Sequence, residues 1–456
     1  MLRRTPYLVL LLAPLILEAQ ERADWQQIMG HLDRLERENR SLADEVRALR
    51  SELATSRGVQ TTSPAISTAV EPTPITAPIE ERVAVVEQRT QDLSQSKVEA
   101  SQRLPITLTG MVLFNAYLNG QANGGFQAPL VAALTDNISQ GAASLSQSII
   151  GLRFQGPRIL GGGQVKGTFD MDLWGGTASS LNRLVRLRVA TVRVDWKNSS
   201  IIVGQDKPII APRDPDSLSQ VAFSPLTSAG NLWRWQPQAR FEQRFALGEN
   251  AGIRAQAGVY QTSEPLASAG PEYQNTLATS RPALQGRFEL WRKLSSGARI
   301  EIAPGFHASQ THVGNISIPS RLFTMDWLIQ PVAKFQFTGT FFNGRNTAGL
   351  GGLRQGFTFV NNDRYSAIRA KGGWAQLSYL ATNRLTFNVY GGQESNHTAD
   401  LLRGQIARNF SYAANVRYRI GSNVLIGAEA NQVRTNYFGG PLRLVNHYDL
   451  ALAYLF

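Results

Sequence analysis

From residue 105 to the C-terminus, apolar residues alternate with polar or very small residues at a period of two. The segments 334–341 and 410–419 show this alternation clearly. It is typical of β-strands that face lipid on one side and water on the other. About 16 such segments can be marked, within the even-numbered range of membrane barrels. The pattern therefore predicts an all-β transmembrane barrel of antiparallel strands over residues 105–456.

The connections between these segments alternate in length along the chain. Short links are predicted at 197–200, 247–251, 294–297, 330–332, 381–383 and 420–423. Long links are predicted at 119–147, 207–235, 262–281, 310–321, 343–364, 393–408 and 434–446. Short periplasmic turns alternating with long outer loops are the topology of outer-membrane barrels, whereas a soluble β-sandwich has no reason to sort its loops in this way.

The residues before the barrel follow a period of seven instead of two. Over residues 20–54, apolar positions are spaced alternately by three and four residues, which predicts an α-helical coiled coil. Asn39 falls on an a position, where a buried amide fixes the register of parallel helices in either a dimer or a trimer. A Thr/Pro-rich linker at 55–78 and a second, shorter coiled coil at 79–104 follow. An amphipathic helix packed on its own barrel is the alternative to association.

The first 19 residues have the features of a signal peptide. Arg3 and Arg4 precede an apolar run from Tyr7 to Leu17, and cleavage is expected after Ala19. The alternative, an uncleaved anchor helix, needs a run of ~20 residues, which is longer than this one. Export places the barrel in the cell outer membrane, because a closed barrel is the other way to satisfy backbone hydrogen bonds in lipid. The coiled coil would then lie in the periplasm.

The last strand supplies a further indication of membrane insertion. Tyr448, Leu450, Leu452, Tyr454 and Phe456 alternate on one face, and the chain ends on the aromatic residue. This resembles the C-terminal signal that the bacterial barrel-assembly machinery recognises. We therefore predict that Tyr454 and Phe456 act as the assembly signal.

The composition excludes several classes of chemistry. The chain has no cysteine and five histidines, so disulfides and thiolate sites are excluded, and we predict neither a metal nor a cofactor. His307 and Ser309 share strand parity, but no GxSxG elbow or third triad member is visible, so we predict no enzyme. Nucleic acid is not expected as a partner, because the arginines alternate inward instead of forming an exposed patch.

Positive charge is concentrated in the barrel. Residues 105–456 hold 33 lysines and arginines against 19 acidic residues, and 27 of the 33 are arginine. A guanidinium is a planar fork that matches carboxylates and phosphates, so an arginine-lined channel would favour anions. A GC-rich genome would produce the same bias towards arginine.

The parity of the alternation sorts the charged side chains into two faces. Trp233 and Trp235 are assigned to the lipid face of their strand, and the parity slips near Ala190, which predicts a β-bulge. The arginines assigned to the lumen are Arg186, Arg188, Arg193, Arg234, Arg240, Arg244, Arg254 and Arg287.

The long connection predicted at 207–235 is rich in proline and charge. It follows the fifth predicted strand, the place at which a loop folds inward in general porins. We therefore predict that Lys207, Arg213 and Asp214 line a constriction. The alternative is an exposed surface loop with solvated charges.

The order of signal peptide, coiled coil, Pro-rich linker and about 16 strands ending in Phe456 resembles the DcaP-like porins. The strand 186–196, the following 203–205 and the stretch 236–240 are the nearest local matches. The resemblance implies a homotrimeric channel in outer-membrane lipid, associated with dicarboxylate uptake. It also implies lumen arginines, which would carry over to Arg186, Arg188, Arg234 and Arg240. The long linker and the second heptad depart from the family and leave the solute open.

The sequence therefore predicts an outer-membrane porin, an anion-preferring diffusion channel for small anionic solutes such as dicarboxylates. A sugar-type porin is one alternative, and it would require aromatic residues lining the lumen. An envelope-tethering protein, in which the coiled coil grips the cell wall, is another. Arginines on many inward faces favour the channel, because a plain anchor has no need of a charged lumen.

Deleting residues 24–53 should weaken an SDS-resistant oligomer while leaving the barrel folded, because the heptads are proposed to hold the subunits in register. Heat-modifiable migration on gels reports the barrel, and crosslinking reports the oligomer. An oligomer of undiminished strength in the deleted protein would contradict the coiled-coil assignment.

Overall fold

The computed structural model describes residues 106–456, except 177–182, 263–281, 295–296, 314–315 and 362–363. The signal peptide, both coiled coils and the linker predicted within residues 1–104 lie outside the described residues and stay predictions. In the described part, no helix is long and apolar enough to cross a membrane.

Nineteen β-strands and three single-turn 3-10 helices make up the regular structure of the described residues. The strands are β1 (Ile106–Asn119), β2 (Gln140–Ser144), β3 (Ile149–Ile159), β4 (Gly163–Gly175), β5 (Leu184–Asp195), β6 (Ser199–Asp206), β7 (Gln236–Ala246), β8 (Ala251–Tyr260), β9 (Ala283–Lys293), β10 (Arg299–Val313), β11 (Ile316–Val332), β12 (Phe335–Arg345), β13 (Phe357–Asn361), β14 (Arg364–Ala367), β15 (Arg369–Leu380), β16 (Leu385–Asn396), β17 (Ile406–Ile420), β18 (Val424–Tyr437) and β19 (Leu442–Leu455). The 3-10 turns are Leu160–Gly162, Ala348–Leu350 and Thr398–Asp400.

Seventeen of the strands form one antiparallel sheet that closes on itself. The closure is the pairing of β1 with β19, from Met111 opposite Leu455 to Asn119 opposite His447. β2 and β3 pair with successive parts of β1, so together they fill one position, and the barrel has 16. β13 and β14 form a separate hairpin within an outer connection. The predicted antiparallel barrel is confirmed.

Along the strands, apolar side chains are exposed and polar side chains are buried, the reverse of the arrangement in a soluble protein. On β19, Leu450 is 63% exposed whereas its neighbours Asp449 and Ala451 are buried. The apolar side chains point to the surrounding lipid, and the polar ones point into the barrel. Parity therefore assigns each strand residue to one of two environments.

Five of the six predicted short turns match the structure. The link predicted at 330–332 is wrong, because β11 continues to Val332 and the turn is 333–334. The outer connections differ in length. The links predicted at 310–321 and 434–446 are wrong as long loops, because β10 and β11 leave only 314–315 between them and β18 and β19 leave only 438–441. The connection predicted at 393–408 shrinks to 397–405. At these ends the outward residues of β10, β11 and β18 are polar, such as Gln310, Ser317 and Arg434, so they resemble loop sequence. β19 instead keeps the exposed apolar residues Leu442 and Leu444.

A β-bulge was predicted near Ala190, and the structure has one two residues away, at Arg188. Asp170 pairs with Val189, but Met171 pairs with Leu187, so Arg188 is the extra residue on β5. The insertion brings both Arg186 and Arg188 to the side chain of Asp172. A bulge here re-aims a charged side chain that strict alternation would have separated from its partner.

Removing Phe456 should lower the amount of assembled barrel. The backbone N–H of Gly110 donates to the carbonyl of Phe456 at 2.9 Å, and the N–H of Phe456 donates back at 3.2 Å. The aromatic ring lies over Gly110, where an added Cβ would come within 2.5 Å of it. The deletion therefore removes the last two bonds of the closing ladder, and heat-modifiable protein in outer-membrane fractions should fall.

The control is Leu452→Ala, which trims an exposed side chain on the same face of β19 and leaves the ladder intact. Outer-membrane levels that do not differ between these two variants and the unchanged protein would count against the role of Phe456.

Candidate functional site

The connection between β6 and β7, residues 207–235, lies inside the barrel and is called the lumen loop below. Ser217 Oγ donates to Glu429 on β18 at 2.6 Å, and Ser219 Oγ is 2.8 Å from the His447 ring on β19. The N–H of Asp216 donates to Gln376 on β15 at 2.7 Å. Inward polar side chains thus satisfy the backbone and hydroxyl groups of a segment without regular structure. Its predicted inward fold is confirmed, whereas its role as a constriction stays a prediction.

Apolar contacts fix the lumen loop at two further places. Ile209 and Ile210 pack in a buried cluster with Tyr260 and Phe342, and Leu226 packs in another with Trp374. Gly230 has a φ of 102°, and a Cβ there would lie 2.2 Å from the carbonyl oxygen of Gly373. Only glycine allows the loop to approach the wall so closely.

One network of charges joins the lumen loop to the wall formed by β8–β11. Arg213 of the loop forms ion pairs with Glu301 and, at 3.2 Å, with Asp326. Beneath it, Arg287 is 1% exposed and bonds Asp326 and Glu289, each at 2.7 Å. Since charges are buried at low cost only when they are paired, these bonds determine where the loop can lie.

A second network surrounds the base of the lumen loop. Arg240 pairs with Asp206 at 3.0 Å, and Arg193 and Arg240 each lie 3.5 Å from Glu242. Lys207 and Asp214 of the loop form an ion pair with each other, so this predicted pair of constriction residues is internally neutralised.

Arg186 and Arg188 hold the lumen loop from the side of the long connections. Both pair with Asp172, at 2.6 and 3.0 Å, and both donate to backbone carbonyls of the loop, Ala222 and Val221 respectively. Arg188 also stacks over Trp235, 4.6 Å from the ring centroid.

Aromatic rings continue from this point along the lumen loop. Trp174, Phe223, Trp233 and Trp235 form a chain of edge-to-face contacts with centroids 5.0–5.7 Å apart. The assignment of Trp233 and Trp235 to lipid is wrong, because both precede β7 and belong to the loop. Arg234 likewise lies on the lumen loop and not on a strand, and its N–H donates to the carbonyl of Leu350.

On the side of the short turns, the barrel contains a cavity of ~480 Å³, called the basic vestibule below. Its charged lining residues are Lys197, Arg244, Arg254, Lys293, Arg299, Glu289 and Glu301. Arg254 pairs with Glu289 at 2.5 Å, and Arg299 pairs with Glu301. Arg244 instead donates to Ser200 and to two backbone carbonyls, and no acidic partner for it occurs among the described residues.

Sequence reasoning missed Glu301 and Asp326, the acids that receive Arg213. Strand parity could have identified them. The lipid face of β10 is marked by Ile302, next to Glu301. The lipid face of β11 is marked by Phe323, Met325 and Trp327, on either side of Asp326. Parity then turns both acids inward, and both are buried. Nothing in the local sequence shows that an arginine 88 or 113 residues away reaches them.

His307 and Ser309 meet as their parity suggested, with His307 Nε2 3.0 Å from Ser309 Oγ. Gln285 lies 3.1 Å from the other ring nitrogen. The third position is thus an amide and not the carboxylate that would stabilise an imidazolium. Among the described residues no group of three acidic or histidine side chains is arranged to hold a metal ion.

The barrel is similar to solved structures of outer-membrane channels. Against the outer membrane channel DcaP of Acinetobacter baumannii the TM-score is 0.61 at 15% identity, over 77% of this chain and 97% of that one. Against an anion-selective porin from Comamonas acidovorans it is 0.50 at 11% identity, over 77% and 99%. No protein-family model and no curated protein sequence matches the chain. The structural likeness shows that the chain has the fold of these channels, as the sequence resemblance predicted.

Replacing Asp326 with Ala should lower the free energy of unfolding by about 3–5 kcal/mol, because it leaves Arg287 buried without its main partner. Urea unfolding of the barrel in vesicles measures the change. The double variant D326L/R287M should recover part of the loss, since it removes the unpaired guanidinium while Arg213 keeps Glu301 and Glu289 keeps Arg254.

Arg153→Ala is the matched control. Its pair with Asp170 is open to water, with the arginine side chain 43% exposed, so the loss should stay below about 1 kcal/mol. Equal losses in D326A and R153A would show that the buried network does not hold the structure.

Proposed function

We propose that this protein is an outer-membrane porin that forms a water-filled channel preferring small anions. The observation that carries the proposal is the basic vestibule, where five basic side chains face two acidic ones. A charge inside a narrow lumen is screened less than one on the outer surface, so a few residues there dominate the field that a passing ion meets. The two acids are already paired with arginines, which leaves the surplus positive.

The proposed solutes are small dicarboxylates. A volume of ~480 Å³ can hold such a molecule with its water, and arginine forks bind carboxylates with two parallel hydrogen bonds. Arg244 and Arg299 present guanidinium groups to the same cavity. The Comamonas acidovorans porin that shares the fold is described as anion-selective, which agrees with this proposal.

The barrel is further proposed to work as a homotrimer in the outer-membrane lipid. Its lipid face carries an apolar groove of ~820 Å³ along β1 and β16–β19. The floor of the groove includes the small residues Ala116, Ala414, Ala428 and Ala430. Small side chains allow close approach of a second barrel, and the heptads predicted in residues 20–54 would hold the subunits together.

A channel for ring-bearing solutes such as sugars is the second candidate. The specific observation in its favour is the aromatic chain formed by β4 and the lumen loop, where Trp174, Phe223 and Trp235 remain partly accessible. Apolar ring faces stack on such side chains. Saturable block of ion current by a neutral sugar, with none by a dicarboxylate, would favour this candidate.

Replacing Arg244 or Arg213 with Ser should shift the reversal potential in a salt gradient towards cation preference. The first variant removes a charge that no described acid compensates, and the second exposes Glu301 and Asp326. Removing one charge at about 4 Å is worth ~1 kcal/mol even in a water-like medium, or about a fivefold change in the local ratio of anions to cations.

Arg403→Ser is the control, because Arg403 lies in the exposed outer connection 397–405 and should change neither selectivity nor conductance. A preference for cations in the protein without substitutions would refute the proposal. So would an identical response of all three variants.

A further inference from the structure

A row of basic side chains lies on the lipid-facing side of the barrel at the end of the long connections. The residues of this outer basic row are Arg321, Arg345, Arg369, Lys371, Arg408 and Arg434, and all six are exposed. They belong to β11, β12, β15, β17 and β18. On these strands they share parity with lipid-facing residues such as Phe323, Phe341 and Tyr412, each exposed to a large extent.

The register of the sheet brings like charges together within the row. Arg321 lies opposite Arg345, and Arg345 lies opposite Arg369. Lys371 and Arg408 flank Ser395 of β16 in the same way. Like charges directly opposite one another destabilise a strand pair, so this arrangement is unfavourable unless an anion lies between them.

The described protein supplies little of that negative charge. Arg369 pairs with Asp400 at 2.8 Å, and the hydrogen bonds from Arg369 hold the pKa of this carboxyl below its usual value. Arg434 stacks over Tyr412, 5.5 Å from the ring centroid. Apart from Arg369, no member of the row forms an ion pair with a carboxylate among the described residues.

The row occupies one sector of the barrel. At the same end of β6–β9 the outward residues are apolar: Val203, Pro237, Val259 and Leu284. On β19 the corresponding residue is Leu442, which is 59% exposed. Outside the row, Arg183 before β5 is an isolated exposed basic residue at this end. A general requirement for charge at the membrane boundary would place basic residues evenly around the rim, so the concentration of six in one sector marks a specific surface.

The row lies at the end of the exposed apolar band, where the headgroup layer of a membrane would begin. At the opposite end, the girdle is aromatic, with Phe335 stacked on Tyr379 at 4.9 Å and Tyr379 near Phe387 at 6.4 Å, as is usual at a membrane–water interface. At the row, basic side chains stand directly above the apolar band. With about 4.8 Å between neighbouring strands, the row spans roughly 24 Å from β11 to β18.

We propose that the outer basic row binds the phosphate groups of an acidic lipid in the outer leaflet. Guanidinium forks bind phosphate oxygens in pairs, and one phosphate between Arg321 and Arg345 would turn a repulsive cross-strand contact into an attractive one. The apolar band below would hold the acyl chains of the same lipid. The inference rests on the proposed outer-membrane location, but not on the selectivity of the channel.

The test uses the purified full-length protein in a neutral detergent and measures binding of lipid A by native mass spectrometry. Lipid A carries phosphate groups, and its dephosphorylated form is the matched probe. The variant R321Q/R345Q should bind lipid A roughly 30-fold more weakly than the unchanged protein, as expected for two basic residues at an anionic surface. Dephosphorylated lipid A should bind weakly to both.

The matched control is R292Q/R384Q, which removes the same charge from exposed positions at the end of the short turns. This variant should bind lipid A as the unchanged protein does. Equal weakening in both double variants, or equal binding of the dephosphorylated lipid, would overturn the proposal. Binding of inorganic phosphate at the affinity of lipid A would overturn the assignment to a lipid.

Two further measurements keep the test independent of folding and of the proposed function. Heat-modifiable migration shows whether each variant is folded. If R321Q/R345Q fails to fold, the single variant K371Q replaces it, and its expected loss of lipid binding is smaller. Reversal potentials report the channel separately. Weak lipid binding together with unchanged anion preference supports the proposal, whereas unchanged lipid binding in a folded row variant refutes it whatever the selectivity.

Discussion

The need to pair every backbone N–H and C=O group away from water governs this structure. A sheet surrounded by hydrocarbon cannot leave an edge unpaired, and the pairing of β1 with β19 removes both edges. Closure then separates two environments, so apolar side chains cover the outside while charged and amide side chains accumulate within. Since the interior must hold many charges without bulk water around each one, they pair with each other and with the lumen loop. The ion pairs of Arg213, Arg287 and Arg186 follow from closure.

The lumen loop gives the interior its asymmetry. Arg213 fixes it to one wall, and Ser217 and Ser219 fix it to the opposite one. On one side it leaves a chain of aromatic rings, and on the other it leaves the basic vestibule. A solute that crosses the barrel would therefore meet two chemically different surfaces in sequence. The paired arginines shape the passage, and the surplus ones provide its charge.

Much of the fold could be predicted from the sequence, because a period of two in a membrane barrel has a direct physical cause. Each strand residue faces either lipid or lumen, so parity placed Arg240, Arg254 and Arg287 correctly and even exposed the bulge at Arg188. The loop lengths predicted at 310–321 and 434–446 were wrong because the ends of β10, β11 and β18 carry polar residues on the outward face, where the rest of each strand is apolar. The assignment of Trp233 and Trp235 to the lipid face was wrong because the alternating pattern continues into the loop before β7. The partners of Arg213 could not be found, since contacts between a loop and distant strands leave no periodic trace.

The closing ladder also dictates the order of events when the protein is made. The partner of β1 is the last strand of the chain, so β1 must wait for more than three hundred intervening residues to arrive. Contacts between such distant segments form slowly, and exposed strand edges invite aggregation in the meantime. Until Phe456 pairs with Gly110, the barrel is an open sheet whose two edge strands have unpaired backbone groups. A chain that has not yet presented β19 therefore cannot close, and the unpaired edges of its sheet remain open to pairing with other strands.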